Sequence, residues 1–216
     1  MSPTPDLFAA TAGAVETLAP GAFRLQGFAL GREAALGAGI DEVTAASPWR
    51  YMETPGGRAM SVAITNCGRL GWVSDRRGYR YDPRDPLTGD PWPAMPAAFR
   101  ELAVSAAGAA GFAAFEPDAC LINRYDPGAR LSLHQDKNER DFRAPIVSVS
   151  LGLPAVFLFG GGRRADQPQR LPLSHGDVLV WGGPARLRYH GVAALAPGMH
   201  PFAGACRINL TFRRAG

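Results

Sequence analysis

A histidine and an aspartate stand two positions apart in the segment LSLHQDKNER, residues 131–140. In an extended strand, residues i and i+2 point to the same face. His134 and Asp136 could therefore direct an imidazole and a carboxylate at one point. Two histidines and one carboxylate suit non-haem Fe(II), because they leave coordination positions open for a co-substrate and oxygen. The pair thus predicts two ligands of an iron site that needs one more histidine.

The third ligand would be one of the three other histidines, since the chain contains four. These are His175, His190 and His200. His190 ends the β-prone run LRYH and is followed by Gly191. A glycine lets backbone or ligand approach closely, which suits a metal site. The spacing alone leaves all three histidines open.

A second H-x-D pair, His175-Gly-Asp177, competes with the first. It lies in SHGDVLVW, where glycine and aspartate form a predicted turn into a strand, so that alternation of side chains is not assured. We therefore favour His134 and Asp136 as ligands. The alternative for any of these histidines is a hydrogen-bonded structural residue at the end of a strand.

A further set of polar residues alternates with apolar ones in the run RINLTFR, residues 207–213. Its polar members are Arg207, Asn209, Thr211 and Arg213. Arginine presents a planar fork that binds a carboxylate through two hydrogen bonds, so this face suits an anion; a solvent-facing polar surface is the alternative. In the run INRY, Asn123 and Tyr125 alternate in the same way and could donate hydrogen bonds. Beside a metal, such an anion site indicates a dicarboxylate co-substrate.

Short β-prone runs follow one another from Ala119 onward, separated by proline, glycine or charged turns. The runs are ACLINRY, LSLHQD, IVSVSLGL, AVFLF, QRLPL, DVLVW, LRYHGV and RINLTFR. A closed double sheet protects the edges of such strands and can enclose a pocket. Before them, apolar residues at spacings of three and four predict helices over 31–46 and 96–110. The sequence thus predicts an α+β, mainly β fold: a double-stranded β-helix, or jelly roll, with flanking N-terminal helices.

The 216 residues fit a single domain with its own hydrophobic core. Hydrophobic residues make up 46% of the chain and charged residues 19%, which is too apolar for a disordered protein. The formal net charge of +4 permits a polyanionic partner such as nucleic acid. Residues 1 to about 20 are rich in alanine, proline and threonine, and we expect them to form a loose leader.

The three cysteines, Cys67, Cys120 and Cys206, are widely spaced and form no C-x-x-C pair. Neither a disulfide framework nor a thiolate zinc site is indicated, and a reducing compartment fits best. No stretch approaches the roughly 18 apolar residues of a membrane span, and a signal peptide's basic start and apolar run are missing. We expect a monomeric cytoplasmic protein that does not contact the membrane.

These motifs together resemble a known family. The resemblance lies in CLINRYDPGARLSLHQDKNE, APIVSVSLGLPAVFLFGG, HGDVLVWGG, RLRYHGV and CRINLTFR, preceded by TPGGRAMSVAITNCGRLGWVSDRRGYRYDP and PWPAMP. In this order, from about residue 50 to the C terminus, they resemble the AlkB family of Fe(II)/2-oxoglutarate-dependent nucleic-acid dealkylases. The resemblance implies oxidative removal of methyl groups from N-alkylated bases such as 1-methyladenine and 3-methylcytosine in DNA, with RNA as a further substrate. Oxygen and 2-oxoglutarate would be consumed, and succinate and formaldehyde released.

The resemblance also assigns residues in the predicted catalytic core, about 115–216. It implies iron at His134, Asp136 and His190, which leaves His175 as a turn residue. It implies a 2-oxoglutarate site in two runs of the jelly roll. The residues of that site are Asn123, Arg124, Tyr125, Arg207, Asn209 and Arg213.

A nucleotide-recognition lid is implied over about residues 50–85, where short β-prone runs hold aromatic residues among arginines. In the family's pattern, Trp72 would stack on a base that has left the duplex stack. Tyr79, Arg80 and Tyr81 would contact the nucleotide and its phosphates. Further phosphate contacts would come from Arg76, Arg77 and Arg164, the last of which falls where the family has an arginine near the substrate.

One residue departs from the pattern of the family's bacterial members. Two positions after Asp136 they carry an acidic residue near the exocyclic amino group of the alkylated base, whereas this chain has Asn138. An asparagine oxygen can still accept that hydrogen bond, but it lacks the negative charge that favours a cationic lesion. We therefore expect a weaker or shifted preference for cationic lesions.

Two other functions stay open on the sequence. One is a related 2-oxoglutarate hydroxylase that acts on protein or on modified RNA. The other is a basic, non-enzymatic nucleic-acid-binding jelly roll whose histidines are structural. The first would consume 2-oxoglutarate on a different substrate, whereas the second would bind oligonucleotides without metal and produce no succinate.

Overall fold

The structure is a computed structural model that describes residues 14–216. Within that range the chain forms fourteen strands, two helices and one short 3-10 turn. The strands are β1 (Val15–Ala19), β2 (Ala22–Leu25), β3 (Arg50–Glu53), β4 (Ala59–Gly68), β5 (Gly71–Asp75), β6 (Gly78–Asp82), β7 (Ala119–Tyr125), β8 (Leu131–His134), β9 (Ile146–Gly152), β10 (Ala155–Phe159), β11 (Gln169–Leu173), β12 (Val178–Trp181), β13 (His190–Val192) and β14 (Arg207–Arg213).

The strands pair in three antiparallel sheets. The large sheet has the order β1-β2-β12-β9-β14-β7-β4-β3, and the small sheet has the order β11-β10-β13-β8. Strands β5 and β6 form a separate two-stranded hairpin. All runs predicted as strands from Ala119 onward form strands, β7 to β14, so the predicted jelly roll is confirmed.

Both predicted helices form, as α1 (Glu33–Ala46) and α2 (Ala97–Ala109). Their apolar faces are buried in one core together with one face of the large sheet. The apolar residues whose spacing predicted the helices are Leu36, Ile40 and Val43 of α1 and Phe99, Leu102 and Ala106 of α2, and all of them are buried. The helices thus cover the outer face of the large sheet and leave its other face for the interior of the jelly roll.

Strand β14 shows how the large sheet separates two environments. Leu210 and Phe212 pack in the core beneath the helices. The polar residues that alternate with the apolar ones along β14 point to the other side and are 1–6% exposed: Arg207, Asn209, Thr211 and Arg213. The alternative of a solvent-facing polar surface is therefore wrong for this strand, because the small sheet closes over that side.

Two segment boundaries differ from prediction. Residues 1–13 of the expected leader lie outside the described residues, but Val15–Ala19 pairs with β2 at the edge of the large sheet and is not loose. In the expected lid, β3 and β4 belong to the large sheet, and Ile64 and Cys67 of β4 are fully buried. Strand β4 covers the edge of β7, a long-range pairing that a local pattern does not reveal. Within residues 14–216, strands β5 and β6 pair only with each other and with no strand of the two larger sheets.

None of the helices in residues 14–216 is long and apolar enough to cross a membrane.

Candidate active site

Two strands of the small sheet and the loop after one of them bring the predicted metal ligands together. His134 ends β8, His190 begins β13, and the two are paired in register. Asp136 lies two residues beyond β8, and its carboxylate oxygens are 3.7 Å from Nε2 of His134 and 3.6 Å from Nε2 of His190. One donor atom from each residue lies within 4.8 Å of the others. The third histidine, which spacing left open, is His190.

Hydrogen bonds on the far side of each ring set the histidines for metal binding. Nδ1 of His134 is 2.9 Å from the carbonyl of Ser132, and Nδ1 of His190 is 3.0 Å from the carbonyl of Arg188. A carbonyl can only accept, so Nδ1 of each ring carries a proton and Nε2 is the atom turned towards the carboxylate. Burial and the neighbouring imidazole of His190 lower the pKa of His134 to about 4. This ring is therefore neutral at neutral pH, as metal ligation requires.

The carboxylate ligand is held in its ionised form. Arg213 donates to one oxygen of Asp136 from Nε at 3.1 Å and from Nη2 at 2.6 Å. Burial alone would raise the pKa of Asp136, but the Arg213 guanidinium holds this pKa well below its usual range. Two imidazoles and an ionised carboxylate around one point are the ligand set of a mononuclear iron(II) site, so the residues fit this metal.

Arg207, expected in an anion site, is a buried arginine with unpaired donors. Its side chain is 1% exposed, its Nη2 donates to Ser150 at 2.9 Å, and its guanidinium lies 5.0 Å from the ring centre of Tyr125. Nε and Nη1 are buried and have no hydrogen-bond partner among the described residues. A buried cation with unpaired donors is costly unless an anion joins it, and a carboxylate is an anion that arginine binds well.

Of the other residues expected around 2-oxoglutarate, Arg213 binds Asp136 as described above. The rest divide into three groups. Asn123 and Tyr125 are buried on β7, opposite Asn209 and Arg207 in register. The amide of Asn209 is already engaged with Ser148, Val149 and Thr211, so it supports the sheet. Arg124 is exposed on the opposite face of β7, where it pairs with Asp126, because neighbouring residues of a strand point to opposite sides. Arg124 is therefore not part of this group.

The competing H-x-D pair has a structural role. One oxygen of Asp177 accepts from the backbone N–H of Gly27, and the other accepts from Arg24 and from the backbone N–H of Ser174. His175 accepts the backbone N–H of Gly152 through Nδ1 at 2.9 Å. His175 and Asp177 therefore hold the turn that leads into β12. This structural role agrees with the choice of His134 and Asp136 as the metal ligands.

The β5–β6 hairpin sorts the expected substrate residues by face. Trp72 lies opposite Tyr81, and Trp72 stacks on Tyr79 with ring centres 5.6 Å apart and an interplanar angle of 15°. Arg80 lies opposite Val73 on the other face, where it binds Asp75 and Asp82. Arg80 and the two tyrosines, all expected to contact the nucleotide and its phosphates, therefore lie on different faces of the hairpin, because side chains alternate along β6.

The aromatic face of the hairpin is joined to the loop that follows β8. Tyr81 donates through its hydroxyl to Glu139 at 2.8 Å, and the Asn138 amide donates to the carbonyl of Tyr79 at 3.3 Å. Glu139 is 6% exposed and was missed by the sequence analysis, since nothing in the polar run HQDKNER distinguishes a buried carboxylate from exposed ones.

The three further arginines expected at phosphates, Arg76, Arg77 and Arg164, are exposed. Arg76 is 3.9 Å from Glu53, and Arg77 binds Asp75 in the turn of the hairpin. Arg164 lies in the connection between β10 and β11. Their exposure leaves them free to meet a polyanion, but they form no cluster with the metal ligands.

Comparisons with known proteins agree with this geometry. A family model described as the 2OG-Fe(II) oxygenase superfamily matches residues 21–213. The alpha-ketoglutarate-dependent dioxygenase AlkB of Salmonella typhimurium is 60% identical over 210 residues, which cover 97% of each chain. The nucleic acid dioxygenase ALKBH1 of Mus musculus is 33% identical over 133 residues, covering 62% of this chain and 33% of its own. A solved structure of OsALKBH1 superposes with a TM-score of 0.82 at 28% identity, covering 93% of this chain and 100% of the other.

A jelly roll that brings two histidines and a carboxylate to one point beside a buried arginine defines an iron(II)- and 2-oxoglutarate-dependent oxygenase. Within that class, the extent and level of identity decide the family. The chain belongs to the AlkB family of alpha-ketoglutarate-dependent dioxygenases. The alternative of a non-enzymatic binding protein is thereby overturned.

Proposed function

We propose that the enzyme removes methyl groups oxidatively from N-alkylated bases in DNA, and also in RNA, as a repair reaction. The observation that carries this proposal is the link between the hairpin and the metal site: the face bearing Trp72, Tyr79 and Tyr81 is hydrogen-bonded to residues two and three positions beyond Asp136. A flat ring stacked on that face would lie beside the metal ligands. A nucleobase is such a ring, and a base must leave its stack to reach an enzyme's reactive centre.

In this proposal each group has a defined task. Iron held by His134, Asp136 and His190 supplies the oxidation of the N-linked methyl group by oxygen, with 2-oxoglutarate as the co-oxidised acid. Arg207, which has unpaired N–H donors, binds the far carboxylate of 2-oxoglutarate beside Tyr125 and Asn123. Arg213 keeps Asp136 ionised and fixed in orientation. Trp72 and Tyr79 hold the base, and the exposed arginines attract the phosphates.

The test is an assay with Fe(II), 2-oxoglutarate, oxygen and an oligonucleotide that carries 1-methyladenine or 3-methylcytosine. We expect equal amounts of formaldehyde and succinate. Succinate without formaldehyde or repaired base, on any methylated oligonucleotide, would overturn the proposal. That result would favour the alternative of a hydroxylase acting on protein or on modified RNA.

The two faces of the hairpin give a matched pair of variants. Base stacking contributes about 1–3 kcal/mol per base, so Trp72→Ala is expected to raise KM for the methylated oligonucleotide about five- to a hundredfold. Arg80→Gln, on the opposite face, should leave KM within about twofold, provided that circular dichroism and thermal unfolding match the wild type. Equal losses in both variants would mean that the aromatic face does not hold the base.

Asn138 is expected to set lesion preference. Its amide nitrogen binds the carbonyl of Tyr79, so its oxygen is the group left to accept from a base. In Asn138→Asp the added negative charge should raise kcat/KM for cationic 1-methyladenine relative to a neutral etheno adduct. A favourable charge contact of about 1 kcal/mol corresponds to a change of about fivefold in this ratio. An unchanged ratio would show that residue 138 does not determine the preference.

We further propose that the enzyme acts as a cytoplasmic monomer. Cys67, Cys120 and Cys206 are free and buried, which suits a reducing compartment. Light scattering of the purified chain checks the monomer, and fractionation of expressing cells checks the compartment.

A further inference from the structure

The loop between β8 and β9, residues 135–145, has no regular secondary structure. It nevertheless carries the metal ligand Asp136 and the two residues joined to the hairpin, Asn138 and Glu139. A segment without strand or helix hydrogen bonds needs other partners for its buried polar groups. One side chain from outside the loop supplies several of them.

That side chain is Arg186, which directly follows the 3-10 turn Gly183–Ala185 after β12 and is 3% exposed. Its Nη1 donates to the carbonyl of Asp136 at 2.8 Å, and its Nε donates to the carbonyl of Ala144 at 3.2 Å. Its Nη2 lies 3.1 Å from Oε2 of Glu139. One guanidinium thus contacts the start, the middle and the end of the loop.

Further contacts extend this arrangement to the hairpin and to the iron ligand. The guanidinium of Arg186 lies 5.3 Å from the ring centre of Phe142, inside the same loop. The other oxygen of Glu139 accepts from Tyr81 at 2.8 Å and lies 3.2 Å from Nε of Arg213, which in turn binds Asp136. Glu139 therefore has an arginine on each side, and the loop is fixed by both.

Only arginine has the chemistry for these contacts. It offers five N–H donors in a rigid plane, whereas lysine offers one compact charge on a flexible stem. Its burial is costly and is offset by the buried carboxylate of Glu139, 6% exposed, together with two carbonyls.

We propose that Arg186 is a positioning residue that sets the orientation of both the iron ligand Asp136 and the two loop residues bonded to the hairpin, Asn138 and Glu139. The part that concerns the base rests on the function proposed above. The part that concerns the metal does not, because it needs no nucleic acid. Arg186 acts through the loop and contacts neither the metal ligand atoms nor the base.

The metal part is tested by titrating the apoprotein with Co(II) alone and following its visible absorption. Loss of a group that orients a metal ligand typically weakens metal affinity by about 10- to 100-fold. We expect losses in that range for Arg186→Met and Arg186→Lys, with a changed absorption band. The control is Arg24→Met, which removes another largely buried arginine. Arg24 binds Asp177 and lies in the large sheet, whereas the two histidine ligands lie in the small sheet. It should keep the wild-type affinity and band.

Wild-type Co(II) affinity in the two Arg186 variants would overturn the inference, as would an equal loss in Arg24→Met. If Arg186→Met does not fold by circular dichroism, Arg186→Lys decides. The base part is read at saturating Fe(II), where the ratio of kcat/KM for 1-methyladenine and a neutral etheno adduct should change in Arg186→Lys and not in Arg24→Met. If the wild-type enzyme repaired neither base, the proposed function would be refuted, and the result on metal affinity would still stand.

Discussion

Asp136→Asn is expected to abolish succinate production and to weaken binding of Co(II) or Fe(II) by more than about a hundredfold. The variant loses the negative charge of the carboxylate, which the two imidazoles cannot replace. It also leaves Arg213 without its closest counter-charge in a buried position, since the guanidinium donates two hydrogen bonds to this carboxylate. Removing one partner of a buried ion pair typically costs about 3–5 kcal/mol. Metal titration and thermal unfolding measure the two effects separately.

The second H-x-D pair offers a matched control for this prediction. Asp177→Asn also removes a buried carboxylate that binds an arginine, Arg24, at 2.8 Å. Because Asp177 has no part in the metal site, this variant should lose stability and keep metal affinity in the folded protein. Normal metal binding by Asp136→Asn would contradict the assignment of the ligands. If folded Asp177→Asn also lost metal binding, the loss in Asp136→Asn would not be specific to a ligand residue.

Arg207→Met is expected to raise KM for 2-oxoglutarate strongly. Losing one partner of a buried, hydrogen-bonded charge pair costs about 2–5 kcal/mol of binding, which corresponds to an increase of about thirtyfold to several thousandfold. The same change should not destabilise the protein without co-substrate, because methionine replaces a buried guanidinium that has two unpaired N–H donors and no carboxylate partner in residues 14–216.

The control for Arg207→Met is Arg124→Met, which changes an exposed arginine on the opposite face of β7. Its KM for 2-oxoglutarate should stay within about twofold of the wild-type value. Thermal unfolding with and without 2-oxoglutarate completes the test, since the ligand should raise the midpoint of wild type and of Arg124→Met but not of Arg207→Met. A midpoint shift that survives in Arg207→Met would remove this residue from the co-substrate site.

Local patterns were sufficient wherever a single strand determines the outcome. Alternation in RINLTFR predicted which residues of β14 face the helices and which face the interior, because consecutive side chains of any strand point to opposite sides. Alternation also places Arg80 and Arg124. The family resemblance grouped each with its neighbours, but in the strand each points to the face opposite those neighbours.

The sequence by itself determined the order of the strands along the chain, the metal-ligand pair at His134 and Asp136, and the arginines of β14. Tertiary structure alone decided which histidine completes the site, since His190 reaches His134 through pairing of β13 with β8. It also decided that Glu139 and Arg186, which lie far apart in the chain, are buried partners. The physical reason is that periodicity reports the face of a strand, whereas the pairing of strands and the burial of a charge depend on residues far away in the chain.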